Sequence, residues 1–452
     1  MSSPAKAMPS RAAEIVGAAN VTDDPAQLAA YEVDGARPSA AARPGAAKEV
    51  AELAKLAAAE KLAVIPMGAR TKLGIGMPPA RYDLAIDMTR LDRVISYDPG
   101  DLTLSVEAGI PLAKLAETLA EHKQFLPLAV PFYERATIGG TLGSGVDSPL
   151  RQMYGTARDF VLGMEFVTGD GALAKSGGRV VKNVSGYDLH KLMLGAIGSL
   201  GIVTRVNLKT FPLAATTRAW LAQFTRAEEA FAFADSLRNS PLAPQTLEIF
   251  DGSAAALLDA QLPMDQTEWS VALSAAGNAR VLERSAGDLK SMSAKTNAAA
   301  FRALDGAAVT ALITAIREFP ALTANKLTDG VIAKVITLPT QMAETVQSLK
   351  DIATEHDLPC AVFARGVGVI YFALLPAERE ATTMTRLAQC AKEIVSGAGK
   401  NNRGLILQSP LELKRELNVW RKPGEDFPLM QRVKQAFDPH GIFAPGRFLG
   451  GL

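Results

Sequence analysis

Hydrophobic positions follow helical and strand periods in turn from residue 44 onward. Val50, Leu53, Ala54 and Ala57 recur at helical spacing, and the apolar run at 62–65 that follows is typical of a buried strand. Other short apolar runs predict strands at 84–88, 94–97, 103–107, 160–168 and 201–210. A helix is predicted to begin at Pro111, because proline suits the first helical position. This mixture predicts an α+β domain over residues 44–213.

The hydrophobic pattern changes after Pro212, where strand–helix–strand units repeat and glycine-rich loops become rare. The predicted strands are 220–224, 246–250, 269–274, 331–337, 361–364 and 369–374. The pattern predicts a second α+β domain, residues 214–410, built around a mostly antiparallel sheet. Residues 1–43 are expected to be a loosely ordered, peripheral segment. The tail at 411–452 is expected to return to the first domain.

Composition and charge exclude several classes of protein. The 452 residues suggest two or three domains, and the net charge of +1 gives no global field toward nucleic acid or an anionic membrane. Cys360 and Cys390 are too few for an iron–sulfur cluster, which normally takes four cysteines. The four histidines are far apart, so no metal site is expected. No signal peptide or apolar span is visible, so we expect a cytoplasmic protein, which partners could hold at the inner face of a membrane.

Three glycine-bearing segments are candidates for binding a dinucleotide. They are residues 67–76, 137–143 and 195–204. The first follows a predicted strand and suits a nest of backbone N–H groups around phosphate, although it matches neither the Walker nor the Rossmann motif. Alone, each segment is as typical of a plain turn. Together in one domain they indicate a dinucleotide, because its pyrophosphate, ribose and rings each need close backbone approach from a different loop.

These segments occur in the order found in a known flavoprotein superfamily. The residues that carry the resemblance are Ala136-Thr-Ile-Gly-Gly140, Tyr154-Gly-Thr-Ala-Arg-Asp159, Lys182-Asn-Val-Ser-Gly-Tyr-Asp-Leu189, Gly198-Ser-Leu-Gly-Ile-Val-Thr204 and Phe437-Asp-Pro-His-Gly-Ile-Phe-Ala-Pro-Gly-Arg-Phe448. They resemble the vanillyl-alcohol-oxidase superfamily, and within it the FAD-binding subunits of glycolate oxidase. The resemblance implies a two-lobed FAD-binding domain of the p-cresol methylhydroxylase type with an α+β cap domain.

The resemblance also implies which residues contact FAD. The first loop would wrap the pyrophosphate, the second would follow the diphosphate and flavin edge, and the third would contact the adenosine. The tail and the Gly-Tyr pair would approach the flavin. The implied FAD contacts are Met67, Gly68, Ala69, Arg70, Thr71, Lys72, Leu73, Thr137, Ile138, Gly139, Gly140, Thr141, Gly143, Ser144, Gly145, Gly186, Tyr187, Gly201, Ile202, Val203 and Arg447.

Two absences refine what the resemblance implies. Relatives that attach FAD covalently use a histidine in the first loop, or a cysteine or tyrosine elsewhere. Residues 67–76 contain no histidine, and both cysteines lie outside the first domain, so we expect noncovalent FAD. The chain also lacks the His-rich Asp-Gly-Asn metal motif that the related catalytic subunits carry in the cap, which puts oxidation of a 2-hydroxy acid by the isolated chain in doubt.

The expected function is that of an FAD-dependent redox subunit of a glycolate oxidase-like complex. It would oxidise a small 2-hydroxy acid to a 2-oxo acid and pass electrons to an iron–sulfur partner. One alternative is a structural or electron-relay flavin subunit whose homologous sister subunit carries out catalysis. The other is a stand-alone FAD-dependent alcohol oxidase.

Few individual side chains are candidates for chemistry. Arg447 would stabilise negative charge at the flavin or hold a carboxylate, and a solvated tail residue is the alternative. His190 is a weak candidate for a base, against a solvent-facing residue at a helix start. Arg365 and Arg421 are candidate carboxylate anchors, although a surface ion pair is the commoner role. No catalytic residue is assigned beyond these candidates.

Overall fold

A small sheet near the N-terminus joins residues from both sides of the predicted boundary at 44. In the computed structural model, which describes residues 4–179, 186–258, 268–326, 329–397 and 403–452, this sheet has the order β1-β2-β4-β3. Its strands are β1 (Val21–Thr22), β2 (Ala40–Ala42), β3 (Val64–Met67) and β4 (Leu84–Asp87). Strands β2, β4 and β3 run parallel. The expectation that residues 1–43 are peripheral is wrong for β2, whose three alanines are fully buried inside the sheet.

A five-stranded antiparallel sheet forms the second lobe of the first domain, in the order β5-β6-β10-β8-β9. Strand β10 alternates buried and half-buried residues, the pattern of a strand with one face on a core. The strands are β5 (Val94–Asp98), β6 (Thr103–Glu107), β8 (Val161–Val167), β9 (Leu173–Gly177) and β10 (Ile202–Lys209), with a separate pair β7 (Gln124–Phe125) and β11 (Phe211–Pro212). Each predicted strand of this region is present.

Helices cover both sheets of the first domain. Helix α3 turns Val50, Leu53, Ala54 and Ala57 into the core, as the helical spacing predicts, and ends at Lys61 in the left-handed conformation. The predicted helix after Pro111 is α4, with proline as its N-cap. The helices are α1 (Pro4–Val16), α2 (Pro25–Leu28), α3 (Ala47–Glu60), α4 (Leu112–Ala120), α5 (Ile138–Ser144), α6 (Arg151–Tyr154) and α7 (Ala157–Phe160).

The cap is an eight-stranded sheet in the order β15-β12-β14-β13-β17-β18-β16-β19, and neighbouring strands are antiparallel. The predicted α+β cap with a mostly antiparallel sheet is therefore confirmed. The strands are β12 (Thr216–Phe224), β13 (Thr246–Asp251), β14 (Trp269–Gly277), β15 (Ala300–Leu304), β16 (Val331–Ile336), β17 (Cys360–Arg365), β18 (Val369–Leu374) and β19 (Arg403–Gln408).

Helices pack on both faces of the cap sheet. Four pack on the outer face and two, α9 and α11, on the face toward the first domain. The helices are α8 (Ala227–Arg238), α9 (Gly252–Leu257), α10 (Ala279–Lys295), α11 (Ala307–Lys326), α12 (Met342–Glu355) and α13 (Ala381–Gly397). Within the described ranges, no helix combines the length and apolar character needed to cross a membrane.

The C-terminal segment contacts both domains, since Leu413 and Leu417 join the cap core whereas Ile442 and Phe443 join a core of the first domain. Helices α14 (Leu411–Glu416) and α15 (Phe427–Phe437) lead to a segment in which Phe443 forms a parallel bridge with Val64 of β3. The buried carboxylate of Asp438 accepts hydrogen bonds from the N–H groups of Ile442 and Phe443, at 3.0 and 2.9 Å. This segment therefore extends the small parallel sheet beyond β3.

Removal of the Phe319 ring is expected to destabilise the cap. Phe319 of α11 is fully buried and stacks on Phe363 of β17 with ring centroids 4.2 Å apart. The Phe319→Ala change should cost about 3–5 kcal/mol, because the empty volume cannot be refilled. Urea unfolding followed by tryptophan fluorescence tests it, since Trp220 and Trp269 both lie in the cap sheet. Leu429→Ala, at a side chain 58% exposed, is the control; an equal effect of both changes would contradict the expectation.

Candidate functional site

The first and second glycine-bearing loops meet at Gly68 and Thr137. A Cβ on Gly68 would lie 2.0 Å from the hydroxyl oxygen of Thr137, so a larger residue cannot occupy this position without displacing the second loop. The Thr137 hydroxyl in turn accepts a hydrogen bond from the Gly140 N–H at 3.2 Å. Gly139 donates its N–H to the Ala108 carbonyl at 2.8 Å, and a Cβ there would also collide with Ala108. The glycines are needed for contact between the loops.

A cleft runs between these loops and the third glycine-bearing segment. Sixteen of the residues expected to contact FAD line it. They are Met67, Gly68, Ala69, Arg70, Thr71, Lys72, Leu73, Thr137, Gly139, Gly140, Gly143, Ser144, Gly201, Ile202, Val203 and Arg447. The structure thus brings together three loops whose lining residues are up to 136 positions apart in the sequence, from Met67 to Val203. Their contact with FAD stays a prediction.

The structure does not bring every expected residue to this cleft. Ile138 is fully buried in the hydrophobic core, whereas Thr141 and Gly145 line neighbouring cavities. Gly186 and Tyr187 also lie outside it, and the Tyr187 side chain is 89% exposed. The residues that precede this pair, 180–185, lie outside the described part of the chain and include four positions of the Lys182–Leu189 motif.

His190 is neither at the cleft nor facing solvent. Its side chain is buried, and its Nδ1 lies 3.0 Å from the hydroxyl of Ser176. Burial lowers the pKa of His190, which keeps the ring neutral near pH 7. The solvent-facing helix start is therefore wrong, and the ring does not line the cleft, whereas the role of a base at the flavin stays a prediction.

Several residues that line the cleft were not expected there. They are Pro66, Ile75, Met88, Ala108, Met193, Ala196, Ile197 and Gly198. Residues 195–198 could have been expected at the cleft, because they belong to the third glycine-bearing segment. In the structure both Ile197 and Gly198 have positive φ. Met88 and Ala108 carry no such signal, because only the packing of β4 and β6 brings them to the cleft.

Arg447 shapes the first loop from the C-terminal segment. Its side chain is 2% exposed, and its guanidinium donates to the carbonyls of Leu73, Ile75 and Met77. The Arg447 carbonyl accepts hydrogen bonds from the Met77 N–H and the Trp420 indole N–H, at 3.0 and 2.9 Å. Arg447 is thus at the cleft as expected and is not a solvated tail residue, but its guanidinium nitrogens bind the loop.

Arg70 and Lys72 bring positive charge to the same loop, in different surroundings. Arg70 adopts a left-handed conformation, with φ of 61°, and its guanidinium pairs with the buried Asp87 at 2.7 Å and lies over the Tyr31 ring. The Asp87 carboxylate therefore offsets much of the Arg70 charge. Lys72 donates to the Pro131 carbonyl at 3.1 Å, and burial lowers its pKa to about 8.

A second cavity, of about 470 Å³, lies between the first domain and the inner face of the cap sheet. It shares four lining residues with the cleft, namely Thr71, Lys72, Ile75 and Ser144, so the two spaces meet there. The cap contributes Ile332, Lys334, Tyr371 and Leu405 among others. Such a site, mainly apolar with a few polar groups and placed between domains, is typical of ligand pockets.

Two ion pairs at the second cavity join parts of the chain that are far apart in sequence. Lys414 binds the Asp34 carboxylate at 3.0 Å to both oxygens. Asp147 of the first domain forms an ion pair with Lys334 of β16 and accepts a hydrogen bond from Arg151 at 2.8 Å. Of the two arginines considered as carboxylate anchors, Arg421 forms a partly exposed pair with Asp426, whereas Arg365 is buried behind Tyr371.

Comparison with known proteins identifies the family. A model described as "FAD binding domain" matches residues 38–177, and one described as "FAD linked oxidases, C-terminal domain" matches residues 213–406 and 412–448. The second alone covers more than half of the chain. The chain belongs to the FAD-linked oxidases. FAD is accordingly the cofactor of this oxidoreductase.

This FAD-linked oxidase is similar to several known proteins over different shares of its length. It is 25% identical to the glycolate oxidase subunit GlcD of Bacillus subtilis (strain 168), over 96% of this chain and 95% of the relative. It is 37% identical to the glycolate oxidase subunit GlcE of Escherichia coli (strain K12), over 34% of this chain and 44% of the relative. The structure of p-cresol methylhydroxylase with substrate bound matches with a TM-score of 0.77 at 16% identity, covering 98% of this chain and 96% of that one. The predicted fold is thereby confirmed.

The cleft fits the cofactor of the family in its chemistry. FAD carries an anionic pyrophosphate and flat rings, and the cleft offers glycine backbone for close approach, the Lys72 ammonium, and apolar side chains such as Met88 and Val203. Across the described ranges, no group of three or more histidine, cysteine, aspartate or glutamate side chains is arranged to hold a metal ion.

Loss of the Arg447 side chain should release the first loop. In the Arg447→Met variant three loop carbonyls lose a charged donor, which should lower the local opening free energy by about 2 kcal/mol or more. Hydrogen exchange of the Ile75 and Met77 amides should then accelerate roughly 30-fold in mass-spectrometric measurements. Arg421→Met removes a partly exposed arginine of the same tail and should leave these amides unchanged. Equal protection in both variants would show that Arg447 does not hold the loop.

Proposed function

We propose that this oxidase holds FAD noncovalently in the cleft and oxidises a small 2-hydroxy acid to the 2-oxo acid in the second cavity. The observation that carries the proposal is the junction of the two spaces at Thr71, Lys72, Ile75 and Ser144. A dinucleotide lying along the cleft with its flavin end at this junction would face the cap sheet. The similarity to glycolate oxidase subunits supports a small hydroxy acid as the substrate class.

The chain itself contributes placement, charge and exclusion of water to this reaction. FAD, when bound, supplies the acceptor for the two electrons and the hydrogen that leave the hydroxyl-bearing carbon. Pro131 and Phe132 of the first domain face Ile332 and Leu405 of the cap, so the cavity has apolar walls on both sides. Once a bound substrate has displaced water from this space, the charges of Lys72 and Lys334 would act more strongly on its carboxylate than they would in solvent.

Noncovalent attachment is supported by the residues around the first loop. Residues 67–76 contain no histidine or cysteine. Cys360 and Cys390 lie in β17 and α13 of the cap, and neither lines the cleft or the second cavity. The cofactor would then be retained by noncovalent contacts alone.

Electrons would leave the flavin through partners. The chain has two cysteines, fewer than the four ligands that an iron–sulfur cluster normally needs, so a cluster would have to reside in another subunit. Two relatives are named as different subunits of glycolate oxidase, which supports a complex with a homologous flavin subunit. We therefore propose a glycolate oxidase-like complex with a homologous flavin subunit and an iron–sulfur subunit.

A second candidate is a structural or electron-relay flavin subunit whose homologous sister subunit oxidises the substrate. The observation that favours it is the absence of the His-rich Asp-Gly-Asn motif from the sequence, combined with a His190 ring that does not reach the cleft. A stand-alone oxidase acting on another alcohol is the remaining alternative.

Spectroscopy of the purified chain separates these functions. The protein should show flavin absorbance, and acid precipitation should release all of the flavin into the supernatant. Anaerobic addition of glycolate or D-lactate should bleach the flavin. Flavin that binds but is not bleached by either acid would favour the relay subunit, and steady hydrogen peroxide formation with another alcohol would favour the stand-alone oxidase. A chain that takes up no FAD would refute all three.

Gly68→Ala should weaken FAD binding much more than Gly74→Ala. The new methyl group would press on the Thr137 hydroxyl, whereas at Gly74, in the same loop, nothing lies within 4 Å of a Cβ. Overpacking of about 1–3 kcal/mol should raise the dissociation constant of FAD about tenfold or more. Titration of apoprotein with FAD, followed by flavin fluorescence, measures both variants. Similar dissociation constants for the two would argue against FAD between these loops.

A further inference from the structure

A group of buried and partly buried charges beside the second cavity has more positive than negative members. Three cations, Arg151, Lys334 and Arg365, act on one carboxylate, that of Asp147. Burial alone would raise the pKa of Asp147, but Lys334, Arg365 and Arg151 together hold it below its ordinary value. Asp147 is therefore ionised near neutral pH and supplies one negative charge.

Glu248 is the other carboxyl group near these cations. It sits on β13 directly opposite Arg365 of β17, and both side chains are completely buried. Neither oxygen of Glu248 accepts a hydrogen bond from any residue that the structure describes, and burial raises its pKa to about 8. The group keeps at least one positive charge in excess whether or not Glu248 is ionised.

Lys334 brings the excess positive charge of this group to the wall of the cavity. In the sheet register Lys334 pairs with Tyr371 on one side and with Leu405 on the other. All three line the cavity, whereas Ala333 and Val335 belong to the core on the opposite face. The Tyr371 ring separates the cavity from Arg365, whose guanidinium carbon lies 5.3 Å from the ring centroid.

The Arg365 guanidinium is buried with few partners. Its side chain is only 2% exposed, and none of its three nitrogens forms a hydrogen bond of good geometry within the described ranges, although the Tyr371 hydroxyl is near enough to interact with it. A buried guanidinium is costly unless anions nearby offset its charge. Asp147 and Glu248 offset part of this charge, and an anion in the cavity would offset more.

We propose that Lys334 binds the carboxylate of the substrate in the second cavity, and that Asp147 is a built-in carboxylate that occupies Lys334 until the substrate replaces it. This assignment rests on the proposed function for the identity of the substrate, a 2-hydroxy acid. It goes beyond that function by naming the anchoring residue and its internal competitor.

When the substrate carboxylate replaces that of Asp147 at Lys334, both carboxylates and the ammonium still have partners. Breaking the pair outright would leave a buried ammonium without a partner, which is strongly unfavourable. When the substrate carboxylate takes over Lys334, Asp147 keeps its hydrogen bond to Arg151 at 2.8 Å. A neutral alcohol offers no replacement charge, so this arrangement selects acids over alcohols.

Opposite effects of two substitutions test the proposal. Oxalate, a dicarboxylate without an oxidisable hydroxyl carbon, is titrated into the FAD-loaded chain and followed by its perturbation of the flavin spectrum at constant ionic strength. Lys334→Met should raise the dissociation constant of oxalate at least tenfold. Asp147→Asn, which removes the competitor with little change of shape, should lower it at least threefold. A purely structural role of the pair would weaken binding in both variants.

Three further variants complete the test. Lys334→Arg keeps the charge and should bind oxalate within about threefold of the native chain. Lys350→Met removes a lysine from the opposite face of the cap, where it pairs with Asp251 at 3.5 Å, and should change nothing. Lys334→Gln replaces Lys334→Met if the latter does not retain FAD. Unchanged oxalate affinity in the Lys334 variants, or no response of the native chain to oxalate, would overturn the assignment.

Failure of this assignment is distinguishable from failure of the proposed function. If 2-hydroxy acids bleach the native flavin but the Asp147 and Lys334 variants shift oxalate binding in the same direction, the function stands and the carboxylate exchange is wrong. If oxalate behaves as expected while no 2-hydroxy acid bleaches the flavin, the anion site stands and the function is wrong. Where hydroxy acids do react, Lys334→Met should raise KM at least tenfold with a smaller effect on kcat.

Discussion

The cleft depends on the hydrogen bonds that the Arg447 guanidinium donates to the carbonyls of Leu73, Ile75 and Met77. The loop after β3 contains little regular structure, so its backbone groups need partners from elsewhere. One buried guanidinium satisfies three carbonyls and fixes how far the loop extends from β3. That position in turn sets Gly68 against Thr137, which aligns the second loop. Both loops, and the junction with the second cavity, therefore follow from a residue near the end of the chain.

Much of this arrangement was predictable from the sequence, because backbone constraints leave local traces. Glycines at 68, 139 and 140 indicated loops in close contact, and alternating apolar runs indicated the strands of both domains. The resemblance placed Arg447 at the cleft but did not predict which groups it binds, since the carbonyls that accept its hydrogen bonds are 370 to 374 residues away. Burial of Ala40–Ala42 was missed because three alanines give no alternating pattern. His190 and Tyr187 do not line the cleft, because a motif fixes sequence order and leaves the direction of a side chain open.

The second cavity is lined on one side by loops of the first domain and on the other by a sheet face of the cap. Its first-domain side is made of loop residues near the cleft, where small side chains allow close approach. Its cap side is one face of an antiparallel sheet, where polar residues in register stand side by side, as Tyr371 and Lys334 do. Apart from Arg365, which was considered as an anchor, sequence analysis did not identify this cap surface, because the cap shows no glycine loops and Glu248, Lys334 and Arg365 are far apart in the sequence. Only the order of strands in the sheet brings them together, since β13, β17, β18 and β16 are consecutive strands.

The Arg447 contact and the bridge from Phe443 to Val64 also constrain the order of events during synthesis. Strand β3 and the loop that follows it are made more than 370 residues before the guanidinium that binds the loop. The small parallel sheet stays without its Phe443 neighbour, and the loop carbonyls without their donor, until residues 443–447 have been synthesised. Over that interval the nascent chain carries a half-formed cleft, and these residues convert it into a site of defined shape.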